Sequence, residues 1–98
     1  MPDLLFEWDE EKARLNEVKH GVSFEEAKTV FNDPFALTIN DPDHSEHEDR
    51  WLDIGVNTAG KLLVVWYTER DDRVRIIGCR DAKKGESRRY DDERIRKR

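Results

Sequence analysis

The sequence has a single cysteine, Cys79, one methionine, three prolines and five glycines in 98 residues. One thiol cannot close an internal disulfide, which points to a reducing compartment. No run of apolar residues approaches the ~20 that a membrane helix needs. The N-terminus, Met1 to Trp8, has neither a basic start nor a long apolar stretch, so no signal peptide is expected. The expected location is cytoplasmic. Glycine-rich phosphate loops, a nucleophile elbow and an HExxH pair are all missing, which removes several large hydrolase classes. Leu, Ile, Val and Phe together make 23 of the 98 residues. That is just above the ~20% below which chains tend to disorder, so one domain with a thin core is expected over residues 1–98.

What the sequence has in excess is charge. Charged residues make up 42% of the chain and the net charge is −5, against ~25% charged residues in an average soluble domain. The net value hides an asymmetry. Residues 1–49 carry 14 acids and 4 bases, whereas residues 50–98 carry 14 bases and 9 acids. Ten of those later bases are arginine, the side chain suited to bidentate phosphate contacts. A basic half can serve an anionic partner or simply form a solvated surface.

Local signals place the elements. Leu4 to Trp8 reads as a strand. Asp9 is a good N-cap, with Glu10 and Glu11 in the first turn and Gly21 as the stop after His20. Ser23-Phe24-Glu25-Glu26 is a capping box that opens a second helix, and Asp33-Pro34 closes it. Val22 can staple onto Ala27, and Phe24, Ala27 and Phe31 share the buried face. Phe35, Leu37 and Ile39 alternate with Ala36, Thr38 and Asn40, and Leu52, Ile54 and Val56 alternate with Trp51, Asp53 and Gly55. Leu62 to Tyr67 is apolar throughout, as in a central strand covered on both faces. Val74 to Cys79 forms the last strand, with Val74, Ile76 and Arg80 expected on one face. A charged helix follows from Ala82, and residues 93–98 read as a frayed basic tail. The predicted class is α+β: an antiparallel meander with two N-terminal helices and a C-terminal helix, the helices covering one face.

Several residues can carry chemistry. Lys19 and His20 end the first helix, where the dipole favours a cation and a histidine can shuttle protons; a simple C-terminal cap is the plainer reading. Arg80 at a strand end suits a phosphate clamp, or else an ion pair with Glu86. In Lys83-Lys84-Gly85-Glu86-Ser87-Arg88-Arg89-Tyr90, Glu86 and Tyr90 share a helix face. A carboxylate, a phenol and cations near Arg80 could supply a base, a stacking ring and phosphate contacts. RNA cleavage by the neighbouring 2′-hydroxyl needs a base, an acid and charge stabilisation, and no metal or other cofactor. Arg50 follows an acidic run and can line the same cleft or neutralise that run. His44 and His47 with nearby acids invite a metal reading, but Glu46 stands where a calcium loop needs Gly, and no cysteine joins them. A flexible polar loop is expected at 40–49.

Phe6-Glu7-Trp8-Asp9 with Lys12 and Asn16, then Lys19 through Ala27 with Val30-Phe31, resemble the start of the BrnT family. So do Asp41-Pro42-Asp43-His44, Glu48-Asp49-Arg50, Gly55, Leu63-Val64-Val65, Arg75-Ile76-Ile77, Arg80, Ala82, Glu86 and Tyr90. The resemblance spans roughly residues 6–91. It implies a RelE-like fold and a ribonuclease toxin of a type II toxin–antitoxin pair that blocks translation. It also implies a BrnA-like antitoxin that binds operator DNA and neutralises the toxin. On this resemblance His20, Arg50, Arg80, Glu86 and Tyr90 are the candidate catalytic residues. Lys19, Lys83, Lys84, Arg88 and Arg89 are the candidate RNA contacts. Within that set Arg50, Arg80 and Arg89 would clamp phosphate, His20 or Glu86 would move the proton, and Tyr90 would stack a base or donate a hydrogen bond. The sequence departs from the family pattern at Gly78-Cys79, where Ser-Ala is usual, at Val56, where a polar or basic residue is common, and at Lys83, where a Thr would cap the last helix. Asp81 is the expected substitute cap. The alternative is a non-catalytic module that binds an antitoxin-like partner through its basic face. A DNA-binding regulator fits less well, because no helix-turn-helix pattern is present.

Overall fold

The computed structural model describes residues 4–41 and 48–97. His44, His47 and most of the predicted 40–49 loop lie outside the described residues. The chain forms β1 (Leu5–Glu7), α1 (Glu10–His20), α2 (Phe24–Lys28) with a 3-10 turn over Thr29–Asn32, β2 (Leu37–Asn40), β3 (Arg50–Val56), β4 (Leu62–Arg70), β5 (Arg73–Asp81) and α3 (Lys84–Arg96). This is an α+β fold on one five-stranded sheet, in the order β1-β5-β4-β3-β2.

The helix termini form for the reasons the sequence carries. Asp9 accepts from the Lys12 N–H, and Gly21 closes α1 in the left-handed region at φ 71°. Ser23 and Glu26 make the reciprocal capping box. β2 to β5 form the expected antiparallel meander. β1 adds something the alternation pattern does not specify: it pairs with β5 in parallel, so the sheet is mixed.

The helices divide between the two faces, which corrects the expectation that they share one. Val22, Phe24, Ala27 and Val30 from the α1–α2 region pack against Leu63, Val65, Tyr67, Ile76 and Cys79. Tyr90 of α3 packs on the opposite face, against Ile54 and Val64. The continuous apolar run of β4 makes this possible, because it supplies core residues to both sides.

A β-bulge then changes where Arg80 points. Trp66 pairs with Gly78 but Tyr67 pairs with Ile76, which leaves Ile77 as an extra residue on β5. The inserted residue shifts the alternation by one. Val74 and Ile76 therefore face α1 and α2, whereas Arg80 faces α3, contrary to the shared face that simple alternation predicts. The tail also differs from expectation. α3 continues to Arg96, and the Lys97 N–H closes onto the Glu93 carbonyl.

Candidate functional site

The α3 face has a dry half and a charged half. Three cross-strand rows run across this face, the first of them beneath Tyr90. Leu37, Ile54, Val64 and Arg80 are directly opposite one another. Ile39, Leu52, Trp66 and Gly78 form the next row. Arg50, Thr68, Arg75 and Glu7 form the third. The face thus passes from a core under α3 to a surface carrying arginines and one tryptophan.

Arg80 is held on three sides. Its guanidinium lies 5.0 Å from the Trp66 ring centroid, a cation–π distance. Its two terminal nitrogens donate to the two carboxylate oxygens of Glu86 at 2.8 and 2.9 Å, the bidentate geometry in which arginine is most rigid. Nη1 also donates to the Asp81 carbonyl. The side chains of Arg80 and Glu86 remain 21% and 25% exposed, so the ion pair sits at the surface rather than within the core.

Glu86 has a second task. The Lys83 N–H donates to its Oε1 at 2.7 Å, the bond that the carboxylate at N3 makes in a capping box. Asp81, the expected cap, pairs with Lys61 instead. The Arg80 guanidinium, followed by the Lys83 N–H, holds the Glu86 carboxyl below its usual range against the opposing effect of burial. A carboxylate so committed is a poor proton acceptor, which argues against Glu86 as the base.

Tyr90 is an anchor. It is 4% exposed, so its ring is covered by the core and offers no surface for a base to stack on. Its hydroxyl donates to Asp33 Oδ2 at 2.6 Å. Asp33 also accepts from the N–H groups of Phe35 and Val56. Burial, and next the Asp33 carboxylate, push the Tyr90 phenol up to about 12. Asp33 drew notice in the sequence only as a helix stop; its role as the tie between α3 and the sheet depends on contacts 23 and 57 residues away.

The remaining expected residues fall into separate groups. Lys83, Lys84, Arg88 and Arg89 are exposed at the start of α3, next to Arg80 in sequence and on the same side of the sheet. Arg50 lies two rows from Arg80 on that face. Lys19 and His20 end α1, across the sheet. That end of α1 is tied to the β5 edge by Asn16, whose side-chain amide donates to the Val22 and Cys79 carbonyls and accepts from the Cys79 N–H. Burial pushes the Cys79 thiol up to about 12, so it stays protonated and acts as core. Among the described residues no three His, Cys, Asp or Glu side chains gather as a metal site.

A family model described as "Ribonuclease toxin, BrnT, of type II toxin-antitoxin system" matches residues 8–86. The chain belongs to the BrnT family. A toxin of this kind acts on RNA and is paired with an antitoxin. The fold is similar to that of the Brucella abortus ribonuclease toxin BrnT, whose crystal structure aligns with a TM-score of 0.65 at 21% identity, over 84% of this chain and 100% of that one. No curated protein matches the chain. The BrnT match ends at Glu86, so Arg80 and its carboxylate partner fall within it, whereas Arg88, Arg89 and Tyr90 lie beyond. No helix among the described residues is long and apolar enough to cross a membrane.

Trp66, Thr68 and Arg75 were absent from the expected site. Trp66 lies in the apolar run of the central strand and reads as core, and Thr68 follows just after that run. Only the strand register, which brings Arg50 and Arg75 to either side of Thr68, links them to the arginine-bearing half of the α3 face.

Proposed function

We propose that this chain is an endoribonuclease toxin that cuts RNA through the neighbouring 2′-hydroxyl without a metal, and so arrests translation in the bacterial cytoplasm. A BrnA-like antitoxin would neutralise it and carry the complex to operator DNA. The observation that carries the proposal is Arg80, gripped by Trp66 and Glu86 on the arginine-bearing half of the sheet.

In this reading the O2′ oxygen attacks phosphorus as its proton leaves to a base. The P–O5′ bond breaks, the leaving oxygen takes a proton, and a 2′,3′-cyclic phosphate remains. Arg80 offsets the charge that builds on the phosphoryl oxygens, and Arg50, two rows away, meets the RNA backbone farther along the same face. Glu86 is a positioning residue that fixes Arg80, and Tyr90 positions α3. His20 ends α1 across the sheet from Arg80, so no side chain is assigned the proton transfer at this phosphate. Lys19, Lys83, Lys84, Arg88 and Arg89 attract the backbone at longer range.

The test is cleavage of a single-stranded RNA by the purified chain in the presence of EDTA. Products with 2′,3′-cyclic phosphate ends, unaffected by chelation and lost in Arg80→Ala, support the mechanism. Cleavage that EDTA abolishes, or that Arg80→Ala leaves intact, removes the corresponding step.

A further inference from the structure

We propose that Arg50, Thr68 and Arg75 form a second phosphate subsite for single-stranded RNA, separated from Arg80 by the Trp66 row. The proposal rests on reading the α3 face as the RNA face.

The strand register carries it. Arg50 and Thr68 are direct partners on β3 and β4, and Thr68 and Arg75 are direct partners on β4 and β5. Two guanidinium-bearing side chains therefore flank one hydroxyl on the same face. Thr68 is only 1% exposed, and its Oγ1 is buried without a hydrogen-bond partner among the described residues. A buried hydroxyl left unpaired is costly. Between two arginines it is placed to donate to an anionic oxygen, an explanation the apolar core does not supply.

Charge and spacing agree with this chemistry. Arg50 and Arg75 both act on the Glu48 carboxylate, after its stronger bond to Arg70, and help to hold it below its usual range. Successive rows on one face lie about 6.8 Å apart at a ~3.4 Å rise per residue. Thr68 is two rows from Val64, the residue opposite Arg80, a separation of about 14 Å on the same geometry. A single strand bridges that gap in a short run of nucleotides. Trp66, half-buried between the two arginine positions, gives the intervening base an aromatic edge, the combination of cationic track and ring that single-strand binders use.

Glu7 sharpens the inference, because its carboxylate occupies Arg75 at 2.7 Å. The two side chains are 28% and 29% exposed, so this carboxylate is in place to compete with an incoming phosphate. Removing either partner breaks the same ion pair. A merely structural pair would respond alike to both changes, whereas a subsite responds with opposite signs.

The experiment measures binding of a fluorescent 2′-O-methyl RNA oligonucleotide to the full chain by anisotropy across a salt series. The methyl group blocks the nucleophile, so affinity is read without cleavage. Arg75→Gln should weaken binding about 10-fold and reduce the salt slope by roughly 0.7, the value for one phosphate contact on a single strand. Arg75→Lys should recover most of the affinity, Thr68→Val should weaken it severalfold, and Glu7→Gln should tighten it. Wild-type protein that fails to bind overturns the subsite. So do unchanged affinities in Arg75→Gln and Thr68→Val, or parallel losses in Arg75→Gln and Glu7→Gln. A chain that shows the expected binding pattern yet cuts no RNA would end the ribonuclease reading and leave the subsite standing.

Discussion

The two faces of the sheet are built from the same strands and do different work. On the α1–α2 face, Phe31 meets Phe6 at a tilt and Tyr67 edge-on, with centroids 5.2 and 4.9 Å apart, and Trp8 meets Phe24 edge-on. Asp53, its one buried carboxylate among the described residues, accepts hydrogen bonds from Thr38 and Tyr67. On the α3 face only the half beneath Tyr90 is dry. The other half leaves Arg50, Arg75 and Arg80 at the surface, with acids as local partners. One face supplies cohesion and the other gives up part of its core to hold cations. The lesson is that β4 anchors both, so a site can be rigid while its own covering is thin.

The largest expected effect tests the cohesive face. Phe24→Ala should cost about 3–5 kcal/mol of stability, the usual range for a buried aromatic, read by denaturant melts; a loss below 1 kcal/mol would mean this face is not the main core. Next is Arg80→Ala. It should keep its melting temperature within a few degrees yet lose on the order of 10²–10³ in cleavage rate, as for other transition-state charge stabilisers. A folded variant with full activity would place catalysis elsewhere.

Tyr90→Phe probes the tie between α3 and the sheet. Loss of a hydrogen bond to a carboxylate should cost about 1.5–3 kcal/mol. The sign with pH follows from Asp33. Burial pushes its carboxyl up, but the Tyr90 hydroxyl and the N–H groups of Val56 and Phe35 outweigh this and hold it below its ordinary value. The stabilisation is therefore complete above the unfolded pKa and fades as pH falls through the lower folded one. Tyr90→Phe should shrink that acid-limb loss, and an unchanged acid limb would contradict the network. Asp53 has the opposite sign, because burial raises its pKa and outweighs the Thr38 and Tyr67 hydrogen bonds. Its stability contribution is present below the unfolded pKa and lost as pH rises through the folded one. Asp53→Asn, whose amide oxygen can accept both bonds, should be neutral or slightly stabilising at pH 7. The smallest change is Ser23→Ala, which removes a helix cap and should cost about 1 kcal/mol with cleavage untouched.

Much of this architecture was legible in the sequence because it depends on local patterns. Asp9, Gly21 and the Ser23–Glu26 box act within a few residues, and the alternation in β2 and β3 survives into the fold. The unbroken apolar run of β4 correctly implied a strand covered on both sides. What was not legible depends on register. The extra residue at Ile77 leaves no local signature, yet it carries Arg80 to the other face. The parallel pairing of β1, the split of the helices between faces, and the row from Arg50 to Arg75 all require knowing which strands are neighbours. Tyr90 shows the same limit differently. Its helical spacing from Glu86 was right, but the burial that makes it an anchor comes from Ile54 and Val64, and its hydroxyl's partner lies 57 residues away.

The central claim is that the fixed guanidinium of Arg80 makes this fold a ribonuclease. The most direct measurement is to induce the chain alone in bacteria, map new 5′ ends on a reporter mRNA, and run folded Arg80→Ala beside it. Growth arrest with new ends from the wild type, and neither from the variant, is the predicted result. Intact mRNA and normal growth with abundant, folded wild-type protein, or the same new ends from Arg80→Ala, would contradict it.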